Sequence, residues 1–420
     1  MLDRGDPAAA RTSAEHALEA RPDDPDAAVL LGAIALAESD PEESLRSYER
    51  AIELDPEYLE PYTAAAQVCL YDLDDPIRGL RYCLEALELD VLSAFESLDV
   101  HLVAAECELA ANAEAEARRR LASLDEESVL MSTLRLGARP DLLQEAHESD
   151  PDDERAVAAA YLRRDNEGDD LDEEERVERI GRALQLAFRL ARMRLDLDEI
   201  DAATQTLTEL LRDYPGEPDA WYLVSEAHHR AGHLPEACVA AIKTLELDHE
   251  LPVPDWVPSF AIIHRRVVQQ LKDCPDPSLR ALVDTGHPIT VMVRDAPAPE
   301  LVMEGVDPRV GALALAGRAL PPAGADGDEL PPPQLTGLAI YRRNLARFAR
   351  DAEHFEQELA FSVLDELAAF LGLDDAAREQ LGLPALPPLP VAAEPDDGGP
   401  TTGKAKGKKK RGRRRSRAAS

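Results

Sequence analysis

His228, His229 and His233 are the first residues whose types and spacing invite chemistry, because His229 and His233 lie four apart. Two imidazoles at that spacing on one helix could share a metal ion. Gly232 falls between them and reads as a turn between two helices, so the pair does not share one face and reads as exposed histidine at a corner. A second candidate is the run Asp365-Glu366-Leu367-Ala368-Ala369-Phe370-Leu371-Gly372-Leu373-Asp374-Asp375. At 100° per residue, Leu359, Val363, Leu364, Leu367, Phe370 and Leu371 form one broad apolar face, with Asp365, Ala369, Glu358 and Ser362 on the opposite side. Cys69, Cys83, Cys107, Cys238 and Cys274 are odd in number, widely spread and without a C-x-x-C pair. They read as reduced, mostly buried thiols of a cytoplasmic protein. The chain has no glycine-rich phosphate loop and no nucleophile elbow.

A third candidate is electrostatic. Lys408, Lys409, Lys410, Arg411, Arg413, Arg414 and Arg415, with Lys404, Lys406 and Arg417, place ten cations and no acid between Thr401 and Ser420. Such a segment could bind RNA, another nucleic acid or an anionic surface nonspecifically. It lacks interleaved aromatic residues for base stacking and is expected to be disordered, behind a Pro-, Asp- and Gly-rich linker. The rest of the chain is the reverse. The net charge over 420 residues is −37, so residues 1–400 carry −47, a body that repels nucleic acid and membrane surfaces. The first residues lack the apolar run of a secretory leader, and no stretch is apolar for long enough to span a bilayer. Seven lysines beside abundant Ala, Arg, Asp and Pro point to a GC-rich bacterial genome.

What would position these groups is a set of helices with a fixed period. Asp6-Pro7 returns as Asp40-Pro41 and Asp75-Pro76, and Ala17 and Pro22 return as Ala51 and Pro56. Each Asp-Pro opens an amphipathic helix, with Asp capping free N–H groups and Pro at the first helical position. The helix before Pro56 ends near Leu54, where proline blocks continuation. Leu31, Gly32, Tyr48, Ala51 and Pro56, and again Trp221, Gly232 and Ala237, resemble the signature positions of the tetratricopeptide repeat family. The resemblance implies paired helices stacked into a superhelix whose concave groove holds an extended or helical protein segment. From Val91 to Gly168 the helical pattern continues with a degenerate period, punctuated by Arg139-Pro140, Asp150-Pro151 and an acidic loop from Asn166 to Glu175. The chain begins with a second-helix pattern, as a half-repeat cap or as the continuation of an upstream start.

After Asp248 the pattern changes. Leu251 to Pro254 reads as a hinge, Trp256 to Leu271 as a helix, Ile289 to Val293 and Leu335 to Tyr341 as strands, and Ala352 to Leu371 as a long helix ended by Gly372. Glu304-Gly305-Val306, Ile340-Tyr341-Arg342-Arg343, Arg347 to Asp351 and Phe370 to Asp375 add an ordered set of short motifs. Together they resemble the minimal zincin-like metallopeptidases of bacteria. That resemblance implies a last helix carrying H-E-x-x-H-x-x-G-x-x-D, with two metal-binding histidines and a water-activating glutamate. Here Asp365 and Ala369 stand at the two histidine positions, while Glu366, Gly372 and Asp375 match. Ala369 has no donor atom, and Asp365 with Asp375 offers two hard oxygens, better suited to weak Mg or Ca binding than to tight zinc.

The expected fold is mostly α: a tetratricopeptide-type α-solenoid over residues 1–250, a small α+β zincin-like domain over 255–385, and a linker and basic tail over 386–420. The expected function is a noncatalytic, cytoplasmic interaction scaffold that needs no cofactor and holds a protein or peptide segment in its groove. Two alternatives compete with it. One is a divergent metal-dependent peptidase using Asp365 and Asp375, with the repeats recruiting substrate. The other is an RNA- or ribosome-associated factor acting through the tail.

Overall fold

The computed structural model describes residues 7–89, 92–124, 126–139, 142, 153–162, 173–284, 288–317 and 334–385. Asp6, Pro140, Asp150-Pro151, most of the acidic loop and the tail with its Lys408 to Arg415 cluster lie outside the described residues. The chain divides into two compact units, Met1–Ala240 and Ala241–Ser420.

The first unit is helical. Its elements are α1 (Pro7–Ala20), α2 (Pro25–Ala37), α3 (Pro41–Leu54), α4 (Leu59–Tyr71), α5 (Pro76–Leu87), α6 (Ala94–Ala110) and α7 (Glu114–Ala122). They continue with α8 (Glu126–Ala138), α9 (Glu154–Tyr161), α10 (Glu173–Asp196), α11 (Ile200–Asp213), α12 (Pro218–Arg230) and α13 (Leu234–Glu250), which runs past the division at Ala240. The Asp-Pro pairs open helices as their chemistry requires. The Asp40 carboxylate accepts from the Glu43 amide at 2.9 Å and Asp75 from the Arg78 amide at 3.1 Å, with Pro41 and Pro76 at the first helical turn. Caps of this kind contribute about 1 kcal/mol each. Helix α3 stops at Leu54, where Asp55 turns to extended backbone before Pro56.

Neighbouring helices pack in sequence order, α2 on α3, α3 on α4, α4 on α5 and α11 on α12. The seam between α2 and α3 admits no side chain at Gly32, where a β-carbon would come within 2.6 Å of the buried Tyr48 ring. Ala51 is fully buried and Leu31 packs on the small cluster of Ala10, Ala14 and Ile34. Tyr62 and Trp221 occupy equivalent places in two repeats. Each donates to the carbonyl six residues back, Tyr62 to Pro56 at 3.2 Å and Trp221 to Pro215 at 2.9 Å. Ala237 is buried, its carbonyl accepting from the Ser225 hydroxyl at 2.9 Å, and Gly232 lies in the turn between α12 and α13. The period fails in the middle for a visible reason. Helix α6 has 17 residues, α7 has nine and α10 has 24, against 13 and 14 in α2 and α3.

The second unit takes in the end of α13, where Ala241 and Leu245 pack on Val302. It continues with α14 (Phe260–Asp273), α15 (Pro277–Asp284), β1 (Thr290–Arg294), α16 (Pro299–Met303) and β2 (Ala312–Gly317). Then come β3 (Gln334–Tyr341), α17 (Arg342–Phe348), α18 (Ala352–Leu371) and α19 (Asp375–Gln380). The sheet order is β1-β3-β2, with β1 parallel and β2 antiparallel to β3. Helix α14 begins at Phe260, later than the expected Trp256, because Val257 precedes Pro258 and is held out of helical backbone. Of the α18 stripe, Leu359, Val363 and Leu367 are buried with Phe355 against Ile263, Val267 and Leu271 of α14 and Leu338 and Ile340 of β3, while Leu364, Phe370 and Leu371 are half-buried. Gly372 ends α18 in left-handed backbone at φ 66°.

Overpacking a filled seam costs about 1–3 kcal/mol. Gly32→Val is therefore expected to loosen the α2–α3 pair by about 2 kcal/mol, read as faster amide exchange in α2 and α3 with α14 and α18 unchanged.

Candidate functional site

Polar side chains gather into defined arrangements in each unit. In the first unit, α4 touches α6, α6 touches α10 and α10 touches α12, so these four helices form one layer of the stack. Tyr71 of α4 donates its hydroxyl to Glu106 of α6. Arg189 of α10 reaches the same Glu106 at 3.3 Å and pairs with Asp99. Arg192 of α10 pairs with Glu226 of α12, one repeat further along, and Glu226 also accepts from Arg230. Arg230 stands 3.8 Å from Asp196. Arg189, Arg192 and Arg230 thus join α6, α10 and α12, and the Tyr71 hydroxyl adds α4 to the row.

The surroundings set the charge of this row. Burial pushes the Glu226 carboxyl up, but Arg192 and Arg230 outweigh it and hold the group below the usual carboxylate range. Burial dominates at Asp196 and raises it despite the same two arginines. Burial disfavours the Arg189 cation, yet Glu106 and Asp99 more than offset it. Tyr71 is 51% exposed beside this row and offers an aromatic edge to a ligand. None of these residues belonged to the expected repeat signature. Their only sequence signal was the 34-residue step from Arg192 to Glu226.

A deeper polar cluster lies between α8, α10 and α11. Arg194, 9% exposed, donates to Glu127 at 2.8 Å and to the Thr206 hydroxyl at 2.6 Å, in the wall of a cavity of about 450 Å³. The three histidines near the α12–α13 turn do not form a metal site. Among the described residues no group of three or more His, Cys, Asp or Glu side chains could hold a metal ion. The ring near His233 is that of His228, 5.9 Å away.

In the second unit the motif helix α18 faces β2 and α19. The Glu366 carboxylate accepts from the Ala314 amide of β2 at 2.8 Å, and Ser362, one turn earlier, lies close against Gly311. Asp365 accepts from the guanidinium of Arg378 in α19. Arg378 is 1% exposed and also donates to the Pro384 carbonyl at 2.8 Å. Ala369 is exposed, and Asp375 is exposed at the start of α19, where Asp374 serves as cap to the Ala377 amide at 2.9 Å. A zinc ion would find no donor at Ala369, Asp365 engaged by an arginine and Glu366 engaged by backbone. The residues present do not fit a zincin metal centre.

The other sequence motif of this unit organises its interior. Asp248 of α13 accepts from Arg309 at 2.7 and 3.1 Å and from Arg347 of α17 at 2.8 Å. Asn344 donates to the Pro308 and Val310 carbonyls at 2.9 and 2.8 Å, and Arg342 to Asp295 at 3.0 and 2.7 Å. Arg342 and Arg347 of the family-like motifs thus act as structural ties, as does Arg343, which donates to the His249 and Leu251 carbonyls at 3.2 and 2.6 Å.

These arrangements define a tetratricopeptide-type helical array followed by an α+β domain with a disarmed zincin-like helix. The comparisons agree. A tetratricopeptide repeat model matches residues 2–58 and 188–248, and a zincin-like metallopeptidase model matches residues 287–383. Both kinds of domain are present in this chain. Among solved structures, the MamA protein matches with 14% identity over 55% of this chain and 97% of that one, TM-score 0.33. YrrB, described as a TPR protein with an unusual peptide-binding site, matches with 14% identity over 56% and 93%, TM-score 0.32. The assembly chaperone of RpL4 (Acl4, residues 1–338) matches with 18% identity over 62% and 85%, TM-score 0.33. No curated protein matches the chain. No helix among the described residues is long and apolar enough to cross a membrane.

Leaving an amide without its acceptor costs about 1–3 kcal/mol. Glu366→Ala should therefore lower the thermal stability of the second unit and speed exchange at the Ala314 amide, while Glu366→Gln, which keeps a carbonyl acceptor, stays near wild type. Peptide hydrolysis by the pure protein that Glu366→Gln abolishes would show instead that this glutamate serves catalysis.

Proposed function

We propose that the protein is a noncatalytic scaffold whose tetratricopeptide repeats hold an extended segment of a partner protein along the inner layer α4–α6–α10–α12. The observation that carries this reading is the continuous row of Tyr71, Glu106, Arg189, Arg192, Glu226 and Arg230 across four helices. Such a row offers polar contacts to a backbone lying along it, with the exposed Tyr71 ring as an anchor. The acidic composition favours a cationic partner segment, since residues 1–240 hold 57 acids against 23 bases, a net −34. The zincin-like domain, with Ala369 and the Arg378-bound Asp365 in place of histidines, adds a folded surface without a zinc reaction.

A photo-crosslinking residue at Tyr71 or Gln67 should capture the partner in cells, and one at Glu53 of α3 should not. Glu226→Lys in the same protein, which sets a cation where the row presents an acid to a cationic segment, is expected to weaken that capture at least about tenfold. Equal capture from α3, or indifference to Glu226→Lys, would refute the inner-layer reading.

The ten cations of residues 401–420 favour a second contact, with RNA or another polyanion. Counterion release makes such binding fall steeply with salt. Truncation at residue 400 is expected to abolish retention on single-stranded RNA at low salt, measured by filter binding. Unchanged retention would assign the tail no such role.

A further inference from the structure

We infer that Arg378 is the resident cation of the second unit's motif helix, a built-in positive charge that excludes a divalent ion from the place where the zincin-like family carries one. Three observations support it. Arg378 is 1% exposed, the largest fully buried side chain among the described residues, beside a helix α18 whose buried face is apolar. Its guanidinium is anchored at two points, to Asp365 of α18 and to the Pro384 carbonyl at 2.8 Å, so it cannot swing into solvent without breaking both. Asp365 is the one charged side chain at either histidine position of the motif, and it is the residue Arg378 holds.

The electrostatic consequence goes beyond the missing donor at Ala369. A buried guanidinium must be paired, because desolvation of an unpaired charge is costly. Asp365 supplies that pair. A metal ion would have to take the same carboxylate from Arg378 and then sit within a few ångströms of a trapped positive charge, where like charges repel. Glu366 closes the arrangement from the other side, since its carboxylate is committed to the Ala314 amide. The motif helix is therefore fixed at Asp365 to α19 and at Glu366 to β2. It has exchanged a metal for an arginine as the charge that neutralises its aspartate. Supplying a histidine is then not enough to rebuild a metal site. The arginine must also go.

The test compares Ala369→His, which sets an imidazole one turn from Asp365, with Ala369→His combined with Arg378→Met, whose unbranched side chain fills most of the vacated volume. Zinc affinity of the full-length protein is measured by calorimetry, with cobalt absorption as an independent report of the ligand set. Removing Arg378 should tighten zinc binding at least about tenfold over Ala369→His alone, because Asp365 becomes free to ligate. Circular dichroism checks that both variants fold, and Arg378→Gln in the same background replaces the methionine variant should that one unfold. Equal zinc affinity with and without Arg378, including no binding by either protein, would overturn the inference.

Discussion

The helical array rests on how closely two helices can lie side by side. At the α2–α3 seam the limit is set by Gly32 against the Tyr48 ring, and elsewhere by Ala51, Ala65, Ala66, Ala86, Ala104 and Ala105, all fully buried. Small side chains at these places bring the helix axes together and leave no gap for large residues to fill. Only 4% of the chain is aromatic. A pair of helices this thin cannot bury its own apolar stripe, so each must cover the next, and stacking follows from composition. The aromatic residues that do occur act as spacers with a fixed polar end, as Tyr62 and Trp221 do toward the carbonyls of Pro56 and Pro215.

Close seams push the charged residues outward, and the excess of acids then has to be managed. Arginine does this work almost alone, since Lys243 and Lys272 are the only lysines before the tail. A planar guanidinium can bridge two carboxylates at once, which a lysine ammonium does with less geometric control. Arg120 grips Glu108 with two bonds at 3.1 and 2.6 Å, Arg189 joins Asp99 to Glu106, and Arg194 grips Glu127 beside Thr206. Each of these pairs spans two helices. Removing one partner would leave a half-buried charge less well compensated, so the ties specify which helices meet more than they add net stability.

Local rules were legible in the sequence and cross-helix relations were not. Asp40, Asp75, Pro41, Pro76 and Gly372 announced helix ends because capping depends on residues within one turn. The apolar stripe of α18 was legible because burial follows the helical period. Strand β2 was missed because Ala312, Ala314 and Ala316 have low strand propensity and are held in place by β3 and by Glu366. The row across α4, α6, α10 and α12 was missed because Arg189 and its partners lie 83 and 90 residues apart, and no local pattern couples them. Asp248 stands in the sequence only as the residue after which the pattern changes, yet it is the carboxylate that Arg309 and Arg347 share.

Glu366 illustrates how a motif residue can mislead. Read as part of a metallopeptidase pattern, its presence beside Gly372 and Asp375 suggests residual catalysis. In the fold it has a sufficient task without a metal, since the outward-facing amide of Ala314 on edge strand β2 needs an acceptor. Helix α18 is held to the core by Phe355, Leu359, Val363 and Leu367, none of which lies on the ligand side. The fold therefore does not need a metal to keep the helix in place. It needs only that the charges on the ligand side be balanced, and Arg378 for Asp365 and the Ala314 amide for Glu366 supply that balance. A domain built this way can lose its histidines and keep both its shape and its glutamate.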